Sequence, residues 1–379
     1  MKRYVAVVAA VAVMLFSLEA MASGTIRIGA LFSVTGPASF LGEPEKNTLE
    51  MLVKEANAKG GIKGNKIELF LYDTQGDATK AVQLATKLIK NDKVVAIIGP
   101  STTGDTMAII PIVEKEQIPL VSCAAGVKIT DPVKKWVFKT PANDHVAAEK
   151  LLDYLATKKQ KNIALLTVSD AYGQSGREQI KALAAKKGFT VVADEVYSPK
   201  DTDMTAQLTK IKGTKADAII CWGTNPGPAV VTRNVKQLGI KIPLYQSHGV
   251  ASKKYIELAG ADACERCILP AGKLTIYDKL KKSEPQYKVL SDYDQAYRKN
   301  YGVEASTFGG YAYDAFELIA EAIRKSGTTP EQIRNGLEQI KKFVGVSGIY
   351  TMSPTDHNGL DLSAFEMVII VNGDWELAK

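Results

Sequence analysis

Ala96-Ile97-Ile98-Gly99-Pro100-Ser101-Thr102-Thr103-Gly104, with Ile118-Pro119-Leu120 after it, is the stretch that decides how this chain folds. An apolar run of strand length ends in a loop of Gly, Ser and Thr, a helix-period segment over 106–116 follows, and a second apolar run opens at a proline. The same order returns as Ala218-Ile219-Ile220, a helical segment over 229–238, and Ile242-Pro243-Leu244, with a spacing that differs by two residues. Repetition of one strand-helix-strand unit at this distance suggests two similar α/β lobes.

The rhythm extends outward in both directions. Strands are expected over 26–32, 67–72, 94–98 and 120–123, with helices over 44–57, 79–90 and 106–116 between them. A second series places strands at 163–168, 191–197, 218–222 and 244–247 and helices at 176–186, 204–211 and 229–238. Alternation of this kind implies parallel sheets covered by helices on both faces, so the fold class is α/β with two doubly wound lobes. The tail departs from it: helices over 287–299, 309–325 and 331–341 run almost consecutively, then a strand at 365–371 and a turn at Asn372-Gly373.

Met1-Lys2-Arg3, an apolar run from Tyr4 to Phe16 and the A-x-A site Ala20-Met21-Ala22 read as a secretory signal peptide over 1–22. The run is about 13 residues long, whereas a membrane span needs about 20. The 379 residues suit about two domains, and 46% apolar residues can fill their cores. The net charge of +7 is spread through Lys-rich helical stretches rather than gathered in an arginine block with aromatics, which argues against nucleic acid as a partner. In an oxidising compartment, Cys264 and Cys267 in Cys264-Glu265-Arg266-Cys267 favour a disulfide. Cys123 and Cys221 end apolar runs and read as small buried residues. No second ligand pair with zinc spacing accompanies them, so no metal and no cofactor are expected.

Ligands of open parallel sheets bind beyond the carboxyl ends of the strands. That rule selects the loops at 99–104, 122–126, 222–226 and 246–249. Backbone N–H groups and hydroxyls there, together with the positive ends of the following helices, suit a carboxylate-sized anion, although ordinary turns use the same residue types.

The segment Ala56-Asn57-Ala58-Lys59-Gly60-Gly61-Ile62-Lys63-Gly64-Asn65-Lys66, the opening Ile28-Gly29-Ala30 with Thr35-Gly36-Pro37, and Ile98-Gly99-Pro100 resemble the periplasmic leucine/isoleucine/valine-binding proteins, the substrate-binding components of ABC importers. Asp170-Ala171-Tyr172-Gly173, Gly249-Val250 and Gly345-Val346-Ser347-Gly348 extend the resemblance over nearly the whole chain. It implies the type I periplasmic binding protein fold: two lobes joined by three hinge crossovers, near 140–143, 272–277 and 346–349. Lobe I would comprise 23–141 and 276–346, and lobe II 142–275 and 347–379. It also implies a periplasmic location, an ABC permease in the inner membrane as partner, and a monomer.

By the same resemblance, Thr103 holds a ligand carboxylate, flanked by Thr102, with Ala124 as a backbone donor, and Gly126 stands where amino-acid binders usually carry Thr. Tyr172 closes over the ligand, Asn225 falls where relatives often have Tyr, and Phe308 lines the pocket with Phe40 and Leu41. His248 occupies the place of a Glu that neutralises the ligand ammonium. An imidazole supplies no negative charge, and a buried ammonium without one is costly. The favoured ligand is therefore a carboxylic acid without an α-amino group, with aromatic walls at Phe40, Tyr172, Trp222 and Phe308. The alternative keeps an apolar amino acid, with Asp144 or Asp170 replacing the Glu; His145 and His357 read as surface residues. An enzyme is disfavoured, since no G-x-S-x-G, H-E-x-x-H or G-x-G-x-x-G motif is present. A ligand sensor for a signalling receptor would share the same fold.

Overall fold

The structure is a computed structural model that describes residues 24–379. The signal-peptide assignment to 1–22 lies outside the described residues. Five parallel strands form the first sheet in the order β2-β1-β3-β4-β5: β1 Thr25–Phe32, β2 Lys66–Asp73, β3 Ala96–Ile98, β4 Leu120–Ser122 and β5 Val137–Lys139. The second holds seven, ordered β14-β13-β10-β9-β8-β6-β7: β6 Asn162–Val168, β7 Thr190–Tyr197, β8 Ala218–Trp222, β9 Leu244–Gln246, β10 Ile268–Gly272, β13 Phe365–Val371 and β14 Asp374–Leu377. A short ladder of β11 Phe343–Val344 and β12 Ile349–Tyr350 lies apart.

The internal repeat has a structural counterpart. Ile97 N–H donates to Pro119 O at 2.9 Å, and Ile219 N–H donates to Pro243 O at 2.9 Å, so the two prolines open equivalent neighbouring strands. Ile28, Ile97 and Ile98 in one sheet and Ile163, Ile219 and Ile220 in the other are fully buried, as expected for strands covered on both faces. The turn after β3 needs its glycine: Gly99 has φ +90°, and a Cβ there would sit 2.2 Å from Leu31 O.

Several elements lie outside the sequence reading, among them β5, β14 and the helix Asp144–Thr157; the three-residue β5 carries too short a period to register. The helix was legible: Ala148, Leu151, Leu152 and Leu155 recur at helical spacing and are all buried. The second sheet is mixed, since β13 runs antiparallel to β10 and forms a hairpin with β14 through Asn372-Gly373.

The chain passes between the two sheets three times. Helix Asp144–Thr157 packs on the second sheet, helices Tyr287–Tyr301, Thr307–Ser326 and Pro330–Glu338 return to the first, and β13 and β14 end in the second. Asp314 ties two of these passages together. Its Oδ1 accepts from Val346 N at 2.7 Å and its Oδ2 from Ser347 N at 2.7 Å; the Tyr350 hydroxyl lies between Asp314 Oδ2 (2.9 Å) and the Thr140 carbonyl (2.7 Å).

Two side-chain expectations are corrected. Cys264 and Cys267 are free and buried rather than joined: the Cys264 thiol donates to Ala261 O, and Cys267 Sγ accepts from the Tyr255 hydroxyl, both at 3.5 Å. Each thiol has its own partner within the core of the second lobe. Alkylation of the native protein should accordingly leave both unlabelled, and alkylation after unfolding without reductant should label both; a mass showing a blocked pair in the unfolded, unreduced protein would restore the disulfide. His357 is not a surface residue. It stacks on Phe138 with ring centroids 4.0 Å apart, and its Nδ1 lies 2.9 Å from Val137 O.

Candidate functional site

The strand ends of both sheets converge on one cavity of about 340 Å³. Its walls touch at the rim: Val127 N–H donates to Ser175 Oγ across the gap at 3.1 Å, Lys128 pairs with Glu178 at 2.9 Å, and the Thr307 hydroxyl donates to Ala251 O at 2.7 Å.

Two helices of opposite lobes begin at this cavity. Helix Thr103–Glu116 starts on the first-sheet side, where Thr102 Oγ1 accepts from Asp105 N at 3.1 Å and so serves as its cap. Helix Ala171–Lys187 starts on the other, where Asp170 Oδ1 accepts from Gly173 N at 2.8 Å. Each N-terminus contributes partial positive charge, which favours an anion between them. Thr103, at the first position of its helix, lines the cavity, and its hydroxyl has no hydrogen-bond partner among the described residues.

The loop after β4 completes this face. Ala124 lines the cavity, and its N–H donates to Ser122 Oγ at 3.1 Å. Lys139, fully buried, donates from Nζ to Ala125 O at 2.7 Å and to Gly126 O at 3.3 Å. In a trans peptide the N–H points opposite to the preceding carbonyl, so this pull turns Gly126 N–H away from the ammonium. Gly126 does not line the cavity itself: a Cβ there would meet Thr103 Cγ2 at 2.4 Å. The Thr103 methyl thus fills the space that a side chain at 126 would need.

On the second-sheet side, Tyr172, Tyr197, Asn225 and His248 line the cavity and are all at least nine-tenths buried. The Tyr197 hydroxyl, both amide atoms of Asn225 and His248 Nε2 have no hydrogen-bond partner among the described residues. His248 Nδ1 is 3.5 Å from the Tyr172 hydroxyl, and Nε2 is 3.7 Å from Asp144 Oδ1, too far for a hydrogen bond. Burial, with the Lys139 ammonium nearby, pushes the His248 imidazole down to about 3, so it is neutral at physiological pH. Burial also raises the Asp144 carboxyl and lowers the Lys139 ammonium, each opposed by the charge of the other. Asp144 lies behind His248 rather than in the wall, whereas Asp170 is part of the wall, its carboxyl raised by burial.

Of the residues singled out from sequence, Leu41, Thr102, Thr103, Ala124, Tyr172, Asn225, His248 and Phe308 come together here. Phe40 stands outside, on a second groove, where its edge packs against Phe308 with centroids 5.5 Å apart. Trp222 is fully buried against Gly176 and forms no wall. Tyr197, Tyr311 and Lys139 escaped the sequence reading, whereas Ser101 belongs to the loop at 99–104 that it selected. Tyr197 ends β7, where the rule of strand carboxyl ends would have found it.

A family model described as periplasmic binding protein matches residues 25–365. The chain is 28% identical over 335 residues to Leu/Ile/Val-binding protein homolog 3 of Brucella melitensis, covering 87% of this chain and 88% of that one. Among solved structures it is similar to an extracellular ligand-binding receptor from Rhodopseudomonas palustris HaA2 (31% identity, TM-score 0.88, 93% and 99% of the two chains). It is also similar to the branched-chain amino acid transporter substrate-binding protein of Streptococcus pneumoniae solved with isoleucine (27% identity, TM-score 0.82, 94% and 99%).

Proposed function

The chain belongs to the periplasmic binding protein family, and we propose that it captures a small carboxylate in the cavity between its lobes and delivers it, as a periplasmic monomer, to an ABC permease. The observation that carries this reading is the convergence of two helix N-termini and the Thr103 hydroxyl on one cavity. Hinge motion at the three passages between the sheets would admit the ligand and bury it. Its role is that of a binder; signalling through a receptor would use the same closure.

The favoured ligand is a carboxylic acid without an α-amino group, with an apolar or aromatic body against Leu41, Phe308 and Tyr172. A neutral imidazole at 248 supplies no countercharge, and Gly126 supplies no hydroxyl. An apolar amino acid is the second reading, favoured by Asp170 in the cavity wall as an acceptor for an ammonium group and by the names of the relatives. Calorimetry of the mature protein decides between them. Benzoate, phenylacetate or 3-phenylpropanoate should bind, and leucine, isoleucine and valine should bind at least about tenfold more weakly. His248→Glu should weaken the acids and strengthen leucine. Tight binding of leucine by the wild type, with none of the three acids, would establish the amino-acid reading instead.

A further inference from the structure

We propose that Asn225, at the start of helix Gly227–Gln237, reads a second polar group of the ligand, and that this group is uncharged and both accepts and donates hydrogen bonds, as a hydroxyl or a carboxamide does. The inference rests on the carboxylate reading above and adds the part of the ligand that faces the second sheet.

Asn225 is 4% exposed and lines the cavity together with Thr224, Pro226 and Gly227. Neither its Oδ1 nor its Nδ2 has a hydrogen-bond partner among the described residues. An asparagine ahead of a helix ordinarily spends its side chain on the helix itself, by accepting from an N–H of the first turn. That use is absent here. Pro226 occupies the cap position, no side-chain hydrogen bond caps the helix, and Pro228 in its first turn has no N–H to donate. The loop that carries Asn225 rests on Tyr197: a Cβ at Gly223 would lie 2.1 Å from the Tyr197 hydroxyl, and one at Gly227 2.5 Å from Tyr197 Cε2. The ring therefore fills the space beneath both ends of the loop and holds it against the cavity.

A buried carboxamide left unpaired at both ends is costly, and the cavity is the side from which partners can reach it. Its Nδ2 donates and its Oδ1 accepts, and the first N–H of the adjoining helix, that of Gly227, is a further donor without an intrahelical partner. A hydrocarbon body would leave all of these unpaired, and an acceptor alone would leave Oδ1 so. A second carboxylate is disfavoured by charge, since no Lys or Arg is among the residues that line the cavity, whereas Asp170 is. A hydroxyl or a carboxamide supplies both functions without charge. Thr103 stands on the first-sheet side and Asn225 on the second, so a ligand with both groups would be held from opposite walls, and its contact with Asn225 would form only when the cavity is closed.

The test compares acids of like shape that differ in their second group. The acids 5-methylhexanoate, 4-carbamoylbutanoate and glutarate end in an isopropyl, a carboxamide and a second carboxylate; 3-phenylpropanoate and 3-(4-hydroxyphenyl)propanoate differ by one hydroxyl. Calorimetry of the wild-type mature protein should find the carboxamide or the phenol bound at least about tenfold tighter than its apolar counterpart, and glutarate bound more weakly than 4-carbamoylbutanoate. Asn225→Leu keeps the branched shape and removes the polar atoms. It should abolish the preference and bind the apolar acid more tightly than the wild type does, because no unpaired amide is buried; a purely structural role would weaken every acid together. Asn225→Ala gives the same readout should the leucine variant fail to fold. Equal affinities within both series, a preference that survives loss of the amide, or glutarate as the tightest ligand would overturn this inference and leave the carboxylate reading standing. Failure of every acid to bind would overturn the carboxylate reading and this inference with it.

Discussion

Gly126→Thr should weaken ligand binding by about one to two orders of magnitude, while Thr103→Ser in the same chain should recover most of the loss. The added Cβ would lie 2.4 Å from Thr103 Cγ2, a distance no pair of carbons tolerates, so the Thr103 side chain must leave its rotamer or the loop must shift. Overpacking of this kind costs about 1–3 kcal/mol, and here the displaced group is the hydroxyl proposed to hold the carboxylate. Serine lacks the offending methyl and keeps the oxygen, which makes the pair a double-mutant cycle with a large positive coupling. Gly126 has φ −51°, so the backbone accepts a side chain there and the conflict is between side chains alone. Calorimetry on the three variants measures it; additive losses would show that the two positions do not share one space.

Asp314→Ala should lower the unfolding free energy by about 3 kcal/mol or more, read in urea denaturation. The substitution strands two buried N–H groups, Val346 and Ser347, at the passage back to the second lobe, and removes one of the two partners of the Tyr350 hydroxyl. Asp314→Asn should fall between, since its amide nitrogen would face one of the N–H donors that a carboxylate oxygen now satisfies. The pH dependence has a defined sign. Burial raises Asp314 to about 6 against the restraint of its hydrogen bonds, so the folded state keeps the proton longer than the unfolded state does. Its contribution is therefore fully present below about pH 4 and declines as pH rises through about 6. The margin of the wild type over Asp314→Asn should narrow across that window, and a margin independent of pH would refute the assignment.

The rhythm of apolar runs and helix-period segments was enough to specify two α/β lobes, because strand and helix periods are local properties that a buried parallel sheet requires in every run. It also marked the strand-end loops that hold Thr103, Asn225 and His248, since Gly, Ser and Thr at a helix start advertise themselves in sequence. The short strand β5 stayed hidden, and with it the positions of Lys139 and Asp144 behind the cavity. Other features depend on contacts between distant segments and have no local signal. The Thr103 methyl fills the space left by Gly126, a relation of volume between two loops. Cys264 and Cys267 stand three residues apart, yet each thiol is engaged elsewhere, a matter of side-chain direction that spacing does not encode. Glu45 reads as an ordinary helical glutamate until helix Ser39–Ala58 is laid against β1 and β2 and buries it behind Ser101. Periodicity determined which residues would be inside; only the tertiary structure decided which buried polar groups found partners in the protein and which were left facing the ligand.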